Sequence, residues 1–187
     1  SGLNMNENLK YNKRSYNNVS NAFLEGTKNY SQPRLPFSVA SFFVSRVDTE
    51  IDNLLEAKDK NHKLLGKIAI ANSRLAYITF LKKFPNQNKK PLQKPLWGST
   101  STKNPNYSNS LYIDKLIAPN TVNTVPLEAI EKFAQNGNPE NYNGWNENNI
   151  LSKLSELNEI GIDLNQITEK LQKSGVKLFA DSFDNLL

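Results

Sequence analysis

Residues 37–52, FSVASFFVSRVDTEID, run through apolar, aromatic and small side chains as far as Val44 and then turn polar within a few positions, at Ser45, Arg46, Asp48, Glu50 and Asp52. An apolar run without polar alternation suits a strand covered on both faces, as in a parallel sheet. The abrupt polarity suits a strand that ends near Arg46 and feeds a helix, with Asp48 or Thr49 as the cap and the acids complementing its first turn. The stretch therefore predicts a strand-to-helix junction at the mouth of an α/β fold.

Downstream, residues 48–60 continue as a helix with Ile51, Leu54 and Leu55 on one side, and residues 59–63, with the only histidine, His62, read as a polar, exposed connection. The longest helix candidate is 66–84, GKIAIANSRLAYITFLKKF, where Ile68, Ala71, Leu75 and Ile78 recur at helical spacing and small alanines allow close packing on a sheet. A basic, proline-containing linker (85–95) leads to a short strand at 96–100 and a loop at 101–109. A turn of helix at 111–117 and a third strand at 121–125 follow. Pro126 opens a helix that ends at Gly137 as a left-handed cap glycine would end it. After a polar loop (138–149), helices are expected at 150–160 and 163–187, the second open to a break at Gly175. Upstream, Tyr16, Val19, Phe23 and Leu24 mark a helix over 15–30, residues 31–36 break it, and residues 1–14 read as a polar loop, a frayed end or a vector-derived addition. Strand, helix, strand, helix, strand, helix is the order of parallel βα units, so the class is α/β, and residues 15–187 read as one domain. Three strands do not close a barrel.

Composition narrows the chemistry. Without cysteine there is no disulfide framework, thiolate nucleophile or thiolate metal site, which fits a reducing compartment such as the cytoplasm. With one histidine, the acids at 48, 50 and 52 are read as helix-start residues and no metal is expected. No apolar run reaches the ~20 residues of a membrane span and no signal-peptide pattern opens the chain. The 23 Lys+Arg against 18 Asp+Glu give +5, but the lysines are dispersed rather than striped with aromatics. That argues against nucleic acid and suits a small anion such as a sugar phosphate. Trp97 and Trp145 are expected in packing.

Four segments in order, ASFFVSRVDTEID, GKIAIANSRLAY, KPLWGSTSTKNP with LYIDKLIAPNTVNTVP, and GVKLFADSFDNLL, resemble the carboxyl-terminal half of a transaldolase of the longer bacterial type. The resemblance implies a (β/α)8 barrel of which this chain carries the sixth, seventh and eighth strands, with the site at their carboxyl ends. It implies transfer of a dihydroxyacetone unit among fructose 6-phosphate, sedoheptulose 7-phosphate, erythrose 4-phosphate and glyceraldehyde 3-phosphate in the pentose phosphate pathway, without a cofactor. There a lysine amine attacks the ketose carbonyl to form a Schiff base, a carboxylate works as acid and base through a water, and cations hold the phosphate. Only a neutral, desolvated amine is nucleophilic, and a fixed cation must hold the phosphate while the reacting carbons change charge.

On this resemblance Arg46 is the phosphate grip, Ser41 touches substrate hydroxyls, Phe43 shapes the pocket, and Ser101 and Lys103 form a second phosphate contact. Lysine there replaces the family's arginine, keeping the charge and losing the fork. Strand alternation places Arg46 opposite Ser41 and Phe43, so all three serve one mouth only if the strand ends near Val44. The Schiff-base lysine and principal carboxylates are expected upstream, on the missing half of the barrel. Lys67 matches a helix of the family instead, and Asn104 and Asn123 sit at mouth positions that suit turn residues equally well, so neither is assigned a role. The alternative is a non-catalytic fragment or assembly subunit. In either case the unpaired strand edges lead to the expectation that the chain alone is oligomeric or poorly folded.

Overall fold

The computed structural model describes residues 10–31, 37–86, 92–140 and 142–185. Its elements are α1 (Lys10–Lys28), β1 (Ser38–Phe43), α2 (Val44–Glu56), α3 (Ile68–Lys83), β2 (Gln93–Gly98), α4 (Leu111–Leu116), β3 (Val122–Asn123), α5 (Leu127–Asn136), α6 (Glu147–Glu159) and α7 (Leu164–Asp184). The three strands lie side by side in the order β1-β2-β3, both pairs parallel, with Ser41 opposite Leu96, Phe43 opposite Gly98 and Trp97 opposite Asn123.

The deciding stretch behaves differently from its reading in two ways. Its strand stops at Phe43, and α2 begins at Val44 with no side-chain cap on Phe43. The amide of Ser45 instead donates to the Ser99 carbonyl at 2.9 Å and the two hydroxyls lie 2.8 Å apart, so the exit of β2 supplies what a capping side chain would have supplied. Nor is β1 covered on both faces. Ala40 is buried and Phe42 packs between Tyr16 and Trp97, each ring 5.7 Å away, whereas Ser41 and Phe43 are exposed on the other face.

Boundaries shift elsewhere for local reasons. The first helix starts at Lys10, five residues before the expected start, so part of the segment read as a loop is helical; residues 1–9 lie outside the described residues. β2 starts at Gln93 rather than Leu96, taking Pro95 into the strand. There β2 has one neighbour only, since β3 first pairs at Leu96, so the missing amide costs little. Helix α6 starts at Glu147 because the Asn146 side chain accepts from the Asn149 amide at 3.1 Å. Asp163 caps α7 in the same way at 2.8 Å, and α7 continues through Gly175 without a break. Gly137 is not a left-handed cap: its φ is −62°, and it is glycine because a Cβ would collide with Phe133.

Helix α3 is the hub. Ile68–Phe80 is buried almost throughout, and the helix packs against α1, α2, α4, α6 and β2. A helix apolar on every side has to be enclosed in this way. Burial of side chains such as Ile68, Phe80, Ile51 and Leu157, all fully buried, contributes about 1.5–3 kcal/mol each. By contrast α5 buries only Ala129 and leaves Leu127 exposed, and α7 exposes Val176, Leu178 and Phe183. Among the described residues β1 and β3 each have one unpaired edge. Sedimentation of the chain alone is expected to show self-association, and a monomer with a cooperative melt would contradict that.

Candidate functional site

Because α2 starts at the residue directly after β1, Arg46 in its first turn folds back over the strand end. Its guanidinium carbon sits 4.8 Å from the centroid of the Phe43 ring. Ser41, Phe43 and Arg46 line one pocket of about 370 Å³, closed on its far sides by α3 and by Thr168, Gln172 and Val176 of α7. Three of the five residues singled out in the sequence thus meet at the carboxyl end of one strand. The two acids that compete for Arg46 in its own helix are engaged elsewhere, Glu50 with Lys170 at 2.7 Å and Asp48 in the interior. Among the described residues no carboxylate pairs with Arg46, which leaves its fork exposed to the pocket. Asn72, which no sequence signal marked, also lines this pocket, and its buried Oδ1 has no hydrogen-bond partner among the described residues. A polar residue on a helix read as apolar at helical spacing was the available signal.

Ser101 and Lys103 are not in that pocket. They lie on the segment that leaves β2, where the Lys103 ammonium donates to Ser101 Oγ at 3.3 Å. Together they line a pocket of about 240 Å³ against Pro126, Glu128 and Lys132 along the first half of α5. The strand ends are nonetheless tied to one another. Ser99 is held at φ 56° while it pairs with Ser45, and the fully buried Thr100 donates to Asn123 Oδ1 at 3.0 Å and to the Thr124 carbonyl at 3.1 Å. Asn123, a residue of β3, thus takes part in this network. Asn104 does form a turn, its Oδ1 accepting from the Asn106 amide at 3.0 Å.

The acids of α2 are not caps. None lies in the first turn, Thr49 donates to the Ser45 carbonyl, and Asp48 and Asp52 are buried. Asp48 accepts from the Ala69 amide at 2.8 Å and from the Tyr112 hydroxyl at 2.9 Å; Asp52 accepts from the Gly66 amide at 3.1 Å and from the Tyr107 hydroxyl at 2.7 Å. Burial pushes the Asp48 carboxyl up to about 7, helped by the neighbouring Asp52 charge and opposed by its two hydrogen bonds. Burial raises Asp52 as well, against the donors Tyr107 and Gly66.

A family model described as Transaldolase/Fructose-6-phosphate aldolase matches residues 1–187. The chain belongs to this family. Curated transaldolases align over all of it: 38% identity to that of Saccharopolyspora erythraea, 36% to that of Mycobacterium tuberculosis and 39% to that of a Parafrankia species. In each case the chain spans about half, 54%, of the relative's length.

For a transaldolase-family chain the placement of the lysines matters. Lys67 is exposed at the start of α3, its ammonium 2.6 Å from the Lys63 carbonyl. Lys94 is carried by a strand, but as the second residue of β2, at the end away from the mouth, where it lies 5.8 Å from the Phe37 ring centroid. His62 is half-buried rather than exposed, because its Nδ1 accepts from the Leu64 amide. Trp97 is buried, donating to the Leu116 carbonyl at 3.1 Å, and Trp145 packs on Tyr77 and Tyr142 as expected of packing residues. No described helix is long and apolar enough to cross a membrane.

The raised Asp48 and Asp52 fix the sign of a pH dependence. A carboxyl that holds its proton more tightly when folded stabilises fully below its unfolded value near 4, and that contribution is lost as pH rises to about 7. The urea midpoint at fixed protein concentration is therefore expected to fall between pH 4 and pH 7, by the equivalent of roughly 2–4 kcal/mol at most. Asp48→Asn, which cannot ionise, should flatten the fall. An equal fall in the variant would contradict the assignment.

Proposed function

We propose that this chain is the carboxyl-terminal part of a (β/α)8 transaldolase barrel, with β1, β2 and β3 as its sixth to eighth strands, and that it supplies the sugar-phosphate grip of the enzyme. The observation that carries this reading is the meeting of Arg46, Ser41 and Phe43 in one pocket at the carboxyl end of β1, the end at which barrels of this kind place their chemistry. The open face of β1 that bears Ser41 and Phe43 is then the barrel interior.

In this reading the Arg46 guanidinium, braced on the Phe43 ring, makes the bidentate contact that suits a phosphate. Ser41 orients a substrate hydroxyl and Phe43 shapes the pocket wall. Ser101 and Lys103 give a second, weaker phosphate contact, since an ammonium is a point charge without a fork. The Schiff-base lysine and the acid/base carboxylates belong to the complementary half of the barrel, consistent with a chain covering 54% of its relatives. Neither Lys67, solvated at a helix start, nor Lys94, at the wrong end of its strand, is set to be a desolvated amine. The assembled enzyme moves a dihydroxyacetone unit between fructose 6-phosphate or sedoheptulose 7-phosphate and erythrose 4-phosphate or glyceraldehyde 3-phosphate, needing no cofactor, in the cytoplasmic pentose phosphate pathway.

The placement of those two lysines also supports a second reading, a phosphate-binding subunit without turnover. Both readings require sugar-phosphate affinity. Calorimetry with fructose 6-phosphate should show Arg46→Ala weakening binding roughly 10- to 100-fold, the range for hydrogen bonds to a charged group. Unchanged affinity would remove Arg46 from the site.

A further inference from the structure

Along α2, Asp48, Asp52 and Glu56 stand four residues apart and so form one stripe. Each meets a different donor from the segment that follows β2. Asn104 Nδ2 donates to Glu56 Oε1 at 3.4 Å, Tyr107 to Asp52 Oδ2 at 2.7 Å and Tyr112 to Asp48 Oδ2 at 2.9 Å. The contacts form an antiparallel ladder of three rungs: as the helix runs from 48 to 56, the partner segment runs from 112 back to 104. The second oxygens of the two aspartates accept from Ala69 and Gly66, so the same carboxylates fix the ladder to the start of α3.

Gly66 shows how closely the middle rung is fitted. It is held at φ +67°, and a Cβ there would lie 2.9 Å from the Tyr107 ring, so glycine is required both by the backbone and by the tyrosine. Around the ladder the charged groups facing Asp48 and Asp52 are Glu56 on the same helix and Lys103 on the partner segment; these line one polar pocket of about 330 Å³. Arg46 precedes Asp48 by two residues, which is about 200° around a helix. The ladder therefore holds one side of α2 while Arg46 serves the pocket on the other.

We propose that Tyr107, Tyr112 and Asn104 are positioning residues: by binding the acidic stripe of α2 they hold the loop carrying Ser101 and Lys103 in fixed relation to the helix carrying Arg46. They touch no substrate and act through Lys103. The consequence for ligand binding rests on the sugar-phosphate reading above; the consequence for the loop does not.

Two readouts on the full chain keep these apart. Amide hydrogen exchange in Tyr107→Phe is expected to speed up at least tenfold in residues 101–110 while residues 68–80 stay protected; unchanged exchange in the loop overturns the proposal. In calorimetry with fructose 6-phosphate, Tyr107→Phe should weaken binding three- to tenfold when Lys103 is present and leave it unchanged in a Lys103→Ala background. A loss of equal size in both backgrounds overturns action through Lys103. Asn104→Ala, at the exposed end of the ladder where the core is not at risk, should act in the same direction with a smaller effect. If Arg46→Ala leaves affinity untouched, the sugar-phosphate reading fails, and the exchange result alone then judges the ladder.

Discussion

A helix that begins on the residue directly after a strand's last has no loop in which to place a capping side chain, and much of this structure depends on how that constraint is met. The free amide of Ser45 is satisfied by Ser99, the first residue after the neighbouring strand. The cap is thus a tertiary contact, and it ties the exits of β1 and β2 together. A longer connection would carry Arg46 away from the strand end. The abrupt one places it over Phe43, on the same mouth as Ser41.

The same helix start sends Asp48 and Asp52 inward. A buried carboxylate without donors would cost several kcal/mol, and here each finds two, one from the start of α3 and one from a tyrosine. Neutralisation lightens the rest of the cost, as the raised Asp48 shows. These groups yield modest net stability for their number, but they specify register: α2, α3 and the β2 exit can meet in one arrangement only if all four donors are used. One helix thereby carries two jobs on two faces, an exposed cation toward a pocket and buried anions toward the scaffold.

The parallel βα order was legible from residues 37–52 and from the helical spacing of Ile68, Ala71, Leu75 and Ile78, because apolar periodicity reflects burial directly. The convergence of Ser41, Phe43 and Arg46 was legible only conditionally, since it hinged on a strand ending two residues before Arg46. What the sequence concealed was long-range. Asp48, Glu50 and Asp52 look like first-turn acids until Tyr107 and Tyr112, more than fifty residues later, are seen to bind two of them. Pro95 looked like a strand breaker because its single-neighbour position depends on where β3 begins. Asn72 gave only a weak sign, a polar residue on an apolar helix, since an asparagine among alanines and leucines is as readily a surface residue as a pocket wall.

The central claim is that the chain holds a grip whose nucleophile lies on other strands. Borohydride trapping with fructose 6-phosphate tests it, on this chain alone and on this chain mixed with the amino-terminal half of a relative such as the Saccharopolyspora erythraea transaldolase. A covalent adduct is expected only in the mixture and only on a lysine of the added half. An adduct on this chain, at Lys67 or Lys94, would contradict the account.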